Sequence, residues 1–100
     1  MAKYIVLMNW TDQGIRNAKE TVNRAKAARQ AFEAMGVKMR DVLWTVGPYD
    51  IVATLEAADD ETVTKAGLVL GMQGNVRSTT LRAFDEREME QIIKDRRAHV

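Results

Sequence analysis

Residues 42–56 read VLWTVGPYDIVATLE, and this stretch decides the fold. Two runs rich in apolar and β-branched residues flank the segment Gly47-Pro48-Tyr49-Asp50. Proline fixes φ and glycine accepts a positive φ, so this segment favours a short turn. The pattern predicts a β-hairpin with strands over residues 38–46 and 50–56.

Upstream of the hairpin, the sequence predicts a strand and then a helix. Residues 3–10 (KYIVLMNW) are strand-like and apolar at both parities, which is typical of a strand covered on both faces. Thr11 or Asp12 is suited to cap the following helix, and Gly36 is suited to end it. Between them, apolar residues recur every three or four positions, namely Ile15, Ala18, Val22, Ala25, Ala28, Phe32 and Met35.

Downstream of the hairpin, a second helix, a fourth strand and a last helix are predicted. Asp59 or Asp60 favours a helix start, and that helix ends near Gly71 or Gly74. Residues 75–84 (NVRSTTLRAF) form a strand. Asp85 and Glu88 have the spacing of a capping box, which opens a helix over residues 85–98.

The element order is therefore β-α-β-β-α-β with a C-terminal helix, the ferredoxin-like α+β arrangement. We expect a single domain over residues 1–100, with its core in residues 3–84. Two helices cover one face of the sheet, yet strands 3–10 and 50–56 are apolar on both sides. Because soluble monomers rarely expose a large apolar patch, we infer face-to-face dimerisation, which would form a dimeric α+β barrel.

Composition excludes several classes of function. The chain has no cysteine, which rules out disulfides and favours a reducing cytoplasm. No segment reaches the roughly 20 apolar residues of a membrane span. The formal charge of +1, with basic residues scattered among acidic ones, argues against nucleic-acid binding. The single histidine, His99, lies next to the C-terminus, so we expect no metal site and no cofactor, and interpret His99 as a solvated tail residue.

Polar and aromatic side chains at the predicted strand ends are the candidates for ligand binding. Aromatic walls with a few amides, hydroxyls or an arginine are typical of small pockets. Each residue also has a structural interpretation: the tryptophans fill a core or interface, the Tyr49-Asp50 pair makes turn hydrogen bonds, and Arg77 either meets an anion or is a solvated edge charge. The candidates are Asn9, Trp10, Trp44, Tyr49, Asp50, Asn75 and Arg77, with Ser78 and Thr80 beside them.

Several longer segments together resemble the GYD-domain family of small bacterial and archaeal proteins. They are WTDQGIR (residues 10–16), WTVGPYD (44–50), DDE (59–61) and GNVRSTTLRAF (74–84). Pro48 stands where the family signature has glycine, whereas Tyr49 and Asp50 are kept. The resemblance implies a ferredoxin-like α+β barrel and assigns no activity.

Three classes of function stay open at this point. The first is a non-catalytic, oligomeric small-molecule-binding or assembly module, with an anionic ligand met by Arg77. The second is a cofactor-independent monooxygenase or isomerase using Asn9, Trp44 and Arg77, with Asp50 or Tyr49 as proton acceptor, in a pocket of roughly 300 Å3 or more. The third is a stress or signalling protein that acts through protein contacts.

Overall fold

A computed structural model describes residues 1–95 as one antiparallel four-stranded sheet with four α-helices. The strand order is β2-β3-β1-β4, which confirms the ferredoxin-like α+β fold. The predicted end of the last helix at residue 98, and His99, lie outside the described residues. The elements are β1 (Ala2–Trp10), α1 (Asp12–Arg16), a 3-10 turn (Ala18–Glu20), α2 (Thr21–Ala34), β2 (Lys38–Trp44), β3 (Ile51–Ala57), α3 (Asp60–Met72), β4 (Val76–Ala83) and α4 (Glu86–Lys94).

The prediction of one continuous first helix is wrong, because the chain breaks at Asn17 into α1 and α2. Gly14 packs against the backbone of Asn75, which holds α1 on the chain just before β4. Arg24 of α2 then donates to the carbonyls of Gly14 and Asn17, at 3.1 and 2.9 Å. These carbonyls at the end of α1 also accept from the backbone N–H groups of Asn17 and Glu20, so Arg24 adds a second donor to each. Ile15, predicted on the apolar face, is half exposed as a result.

The hairpin prediction is confirmed, although the loop is longer than the pattern indicated. β2 and β3 pair from Lys38↔Glu56 to Trp44↔Ile51, with a bulge between Met39 and Asp41. The connection spans residues 45–50, and Gly47 adopts φ +133° within it. The early end of β2 follows from Thr45, whose N–H bonds to the carbonyl of Asp50 and closes the loop.

One face of the sheet carries α2 and α3 and contains the core. Tyr4, Val6 and Met8 of β1 alternate toward this face and are buried with Phe32 of α2 and Val63 of α3. The opposite surface, which we call the helix-free face, carries the other parity of each strand. Its apolar members are Ile5, Leu7, Leu43, Val52 and Leu81.

Three helix caps predicted from the sequence are present in the structure. Asp59 accepts from the Thr62 N–H at 2.8 Å and begins α3, while Gly36 takes φ +83° just after α2. Asp85 and Glu88 form both hydrogen bonds of the capping box at the start of α4. The end of α2 and the starts of α3 and α4 are therefore fixed by residues within a few positions of them.

Tyr4 anchors α3 to β1 and provides a titration test of the core. Its hydroxyl donates to the Asp60 carboxylate at 2.6 Å, and desolvation together with this bond raises the pKa of Tyr4 to about 12. The folded protein thus holds the proton more tightly than the unfolded chain does. Stability should therefore fall as pH rises from about 10 toward about 12. The test is to titrate the parent protein and Tyr4→Phe with base while recording tyrosinate absorbance. We expect the difference between the two curves, which belongs to Tyr4, to have its midpoint near pH 12. A midpoint near 10 would contradict the buried geometry.

Candidate functional site

The sequence-predicted site residues are divided between the two faces of the sheet. Asn9 and Arg77 face each other in the β1–β4 register on the helix-free face. Trp44 and Trp10 belong to the opposite parity, on the side that carries the helices. A single pocket containing all the candidates is therefore not formed within one protomer.

The two residues on the helix-free face differ in how far their polar groups are used. The Asn9 side-chain amide donates to the carbonyl of Pro48 at 2.8 Å, and so ties β1 to the hairpin loop. Arg77 is exposed and makes no hydrogen bond or ion pair within residues 1–95. This position matches the interpretation of Arg77 as a solvated edge charge, and it leaves the guanidinium free for an anion or a partner.

Asp50 and Tyr49 organise the hairpin loop. The Asp50 carboxylate accepts from the backbone N–H of Trp10 at 2.9 Å, and its own N–H donates to the carbonyl of Met8. The Tyr49 carbonyl accepts from the Thr45 hydroxyl. The Asp50 carboxylate therefore accepts a hydrogen bond from the backbone at the end of β1. This is the structural role that the sequence analysis considered for Asp50.

On the helix side, Trp10 and Asn75 lie at a cavity between α2, α3 and the sheet. The cavity has a volume of about 60 Å3. Most of its wall is apolar, from residues such as Met8, Ile51 and Leu70, and Asn75 is among the polar residues that line it. The Asn75 side-chain oxygen accepts from Gln13 at 2.9 Å. Trp44 lies nearby, since its indole N–H donates to the Thr21 hydroxyl at 3.0 Å, and Thr21 lines the cavity.

The indole nitrogen of Trp10 is buried and has no hydrogen-bond partner in the described part of the chain. A buried donor without a partner costs about 1–3 kcal/mol. The other tryptophan, Trp44, has its indole N–H satisfied by Thr21. The Trp10 indole is therefore a buried donor that the fold leaves unsatisfied, and its nitrogen is closed off from the accessible space of the cavity.

Arg24 and Thr21 also line the cavity and were not among the residues predicted from the sequence. They form one stripe of α2 together with Ala25 and Ala28, at positions i, i+3, i+4 and i+7. Two alanines on the buried side of a helix leave space above a sheet. This stripe was the available signal: Ala25 and Ala28 were predicted on the apolar side of the helix, and Thr21 and Arg24 lie beside them.

The geometry required for the enzyme hypothesis is not present within one protomer. Asn9 and Arg77 lie on the helix-free face, whereas Trp44 lies on the helix side. Two larger open depressions, of about 300 and 850 Å3, are lined by other residues and include none of these three. Across residues 1–95, no three acidic or histidine side chains are grouped to hold a metal ion, and no helix is long and apolar enough to cross a membrane.

Comparison with known proteins gives three findings. A family model described as GYD domain matches residues 4–93. The glutamine synthetase and cystathionine beta-lyase binding protein of Thermus thermophilus is 37% identical over 85 residues, covering 84% of this chain and 90% of that protein. A crystal structure of a Thermus thermophilus protein is similar with a TM-score of 0.54 and 26% identity, over 85% of this chain and 95% of that one.

Proposed function

The chain belongs to the GYD-domain family, and we propose that it is a non-catalytic binding module that assembles with a second copy and contacts a metabolic enzyme. The observation that carries the proposal is the amount of apolar surface left uncovered. Leu43 is 61% exposed and Leu81 43% exposed on the helix-free face. Apolar patches of this kind mark protein–protein contact sites in soluble proteins.

A second copy of the chain is the occupant that best suits the helix-free face. Two pairs of charges at its margin are satisfied within the chain, since Arg40 meets Glu56 at 2.9 Å and Lys3 meets Asp85 at 3.0 Å, whereas Asp41 and Arg77 make no ion pair within residues 1–95. A copy of the same face brings the same apolar residues into the contact, together with one exposed acidic residue, Asp41, and one exposed basic residue, Arg77. A two-fold axis then requires only that the apolar centre be complementary to itself.

Helix α4 supports the same assembly. Met89, Ile92 and Ile93 form an apolar row that is 43–72% exposed, on a helix with a strongly polar opposite side. Its first turn is held to the sheet by Lys3, which contacts Asp85 and Glu88. An amphipathic helix without a covered apolar side is stabilised by packing against another surface. We propose that this surface belongs to the second copy.

The enzyme partner is proposed from the relative, which is named as a binding protein for glutamine synthetase and cystathionine beta-lyase. The relative is similar to 84% of this chain, so the same kind of role is a reasonable extension. Its support from the geometry is that Asn9 and Asp50 bond to the backbone, and that Asn9 and Arg77 lie on the opposite face of the sheet from Trp44. The proposal includes a cytoplasmic location, which the cysteine-free composition favours.

The experiment is a direct binding measurement with purified glutamine synthetase and purified cystathionine beta-lyase from the organism that encodes this chain. We expect saturable binding to at least one enzyme, with a dissociation constant of about 100 μM or lower. An unrelated enzyme of similar size is the control. Failure to bind either enzyme at that concentration, by protein that is folded by circular dichroism, would refute the proposed partner.

A further inference from the structure

We propose that residues 44–48, which we call the hairpin tip, insert into an uncharged apolar recess on the metabolic enzyme. This inference rests on the proposed function and adds the surface through which the enzyme is contacted. Three observations carry it: the exposed apolar side chains of the tip, the hydrogen bonds that hold the loop in one shape, and the absence of charge.

The hairpin tip presents apolar side chains to solvent. Val46 is fully exposed, and Trp44 and Pro48 on either side of it are exposed as well. Loops of soluble proteins are normally polar, so three exposed nonpolar residues within five positions are unusual. Because nothing packs around Val46, the tip is convex, and a small molecule bound to it would remain mostly in water. The partner that fits is therefore a larger molecule with a recess that encloses the tip.

Hydrogen bonds hold the hairpin loop in one shape. Two residues are enough to join neighbouring antiparallel strands, whereas this loop has six. The Asn9 amide donates to the Pro48 carbonyl at 2.8 Å. Thr45 donates to the carbonyls of Tyr49 and Asp50, through its hydroxyl and its backbone N–H. A loop that is already ordered loses little conformational entropy on binding, which favours its use as a contact.

The chemistry of the hairpin tip selects an apolar surface on the enzyme. Residues 42–49 contain no charged side chain, although 29% of the chain is charged. The next residue, Asp50, uses its carboxylate to accept from the Trp10 N–H. A charged surface would lose its water against this tip without gaining an ion pair, so the recess that binds it is apolar.

The hairpin tip and α4 lie at opposite ends of the sheet. Trp44 pairs with Ile51, close to the end of β1. Helix α4 follows Ala83, which pairs with Lys3 at the start of β1. The contact with the enzyme and the contact of α4 with a second copy can therefore be tested by separate substitutions.

The test measures the binding of Val46→Asp and Val46→Lys to purified glutamine synthetase and purified cystathionine beta-lyase. We expect each variant to raise the dissociation constant of the enzyme that binds the parent protein by about ten-fold or more, because either charge would be buried without a partner. Leu68→Asp is the matched control, since it replaces another exposed aliphatic residue, on α3, and should leave that constant unchanged. Circular dichroism and sedimentation velocity report the folding and the assembly of each variant.

The outcomes separate the hairpin tip from the proposed function. If an enzyme binds the parent protein and both Val46 variants equally well, the tip is not the contact, whereas the proposed function stands. If Val46→Lys binds as tightly as the parent protein and only Val46→Asp is weakened, the contact is electrostatic and the apolar recess is refuted. If Val46→Asp abolishes self-assembly, the tip belongs to the contact with a second copy, which overturns the inference. If the parent protein binds neither enzyme, the proposed function fails and this inference fails with it.

Discussion

Gly14→Ala should lower the free energy of unfolding by about 3 kcal/mol or more, which is a large part of the about 5–15 kcal/mol that stabilises a typical domain. A Cβ at this position would lie 2.0 Å from the carbonyl oxygen of Asn75 and 2.9 Å from its carbonyl carbon. Both atoms are backbone, so no side-chain rotation relieves the clash.

The backbone of Asn75 is fixed from several directions, which is why the clash cannot be absorbed cheaply. Its carbonyl accepts from the Thr11 N–H at 3.1 Å, and the Thr11 hydroxyl donates to the neighbouring carbonyl of Gly74. The same hydroxyl caps the N–H of Gly14 at 3.1 Å. Moving α1 away from Asn75 therefore breaks the cap and the link to the start of β4 together.

Gly67→Ala is the matched control, because a Cβ there meets nothing within 4 Å and the residue lies inside α3. Alanine is the better helix former, so this variant should gain about 0.5–1 kcal/mol. Urea unfolding followed by far-ultraviolet circular dichroism, at one fixed protein concentration, compares the two. Gly14→Ala within about 0.5 kcal/mol of the parent protein would show that α1 does not need this close approach.

The sequence could predict those parts of the fold that depend on neighbouring residues, but not the contact that Gly14 makes with a distant part of the chain. Caps such as Asp59, Gly36 and the Asp85–Glu88 box depend on residues within a few positions, so their signals are visible in the sequence. The break at Asn17 depends on the contact of Gly14 with Asn75, which belongs to a distant part of the chain. A periodic apolar pattern through residues 15–35 gives no sign of that contact, and it predicted one helix where there are two.

The sequence predicted some residues of the candidate site, but it did not predict which face of the sheet each of them lies on. Strands β1 and β3 are apolar at both parities, so alternation did not indicate which side faces the helices. Trp10 and Asn75 lie at the helix-side cavity, whereas Asn9 and Arg77, close to them in sequence, lie on the other face. Arg24 was overlooked because the buried side of α2 was defined by its apolar residues alone, and Arg24 lies beside Ala25 and Ala28 while bonding the carbonyls of Gly14 and Asn17.

The helix-free face gives the prediction with the largest effect on assembly. Leu81→Asp should convert the proposed dimer to a monomer, with the dissociation constant raised about 1,000-fold or more. Leu81 lies beside Ile5 in the β1–β4 register, on the edge strand β4. In a face-to-face dimer, the new carboxylate would be removed from water twice, once in each copy. Its neighbour on β1 is the apolar Ile5, and burying a charge without a partner is costly.

The protomer itself should tolerate the change, because Leu81 is 43% exposed and makes no contribution to the buried core. Leu68→Asp is the matched control, since Leu68 is 63% exposed on α3, on the helix side of the sheet. Sedimentation velocity over a range of concentrations should show a dimer for the parent protein and Leu68→Asp, and a monomer for Leu81→Asp. If the parent protein is monomeric throughout, or if both variants dissociate equally, the helix-free face is not the site of self-assembly. Either result would indicate that the exposed apolar row of α4 and Leu43 contact a different protein, because soluble proteins rarely leave apolar surface of this extent in water.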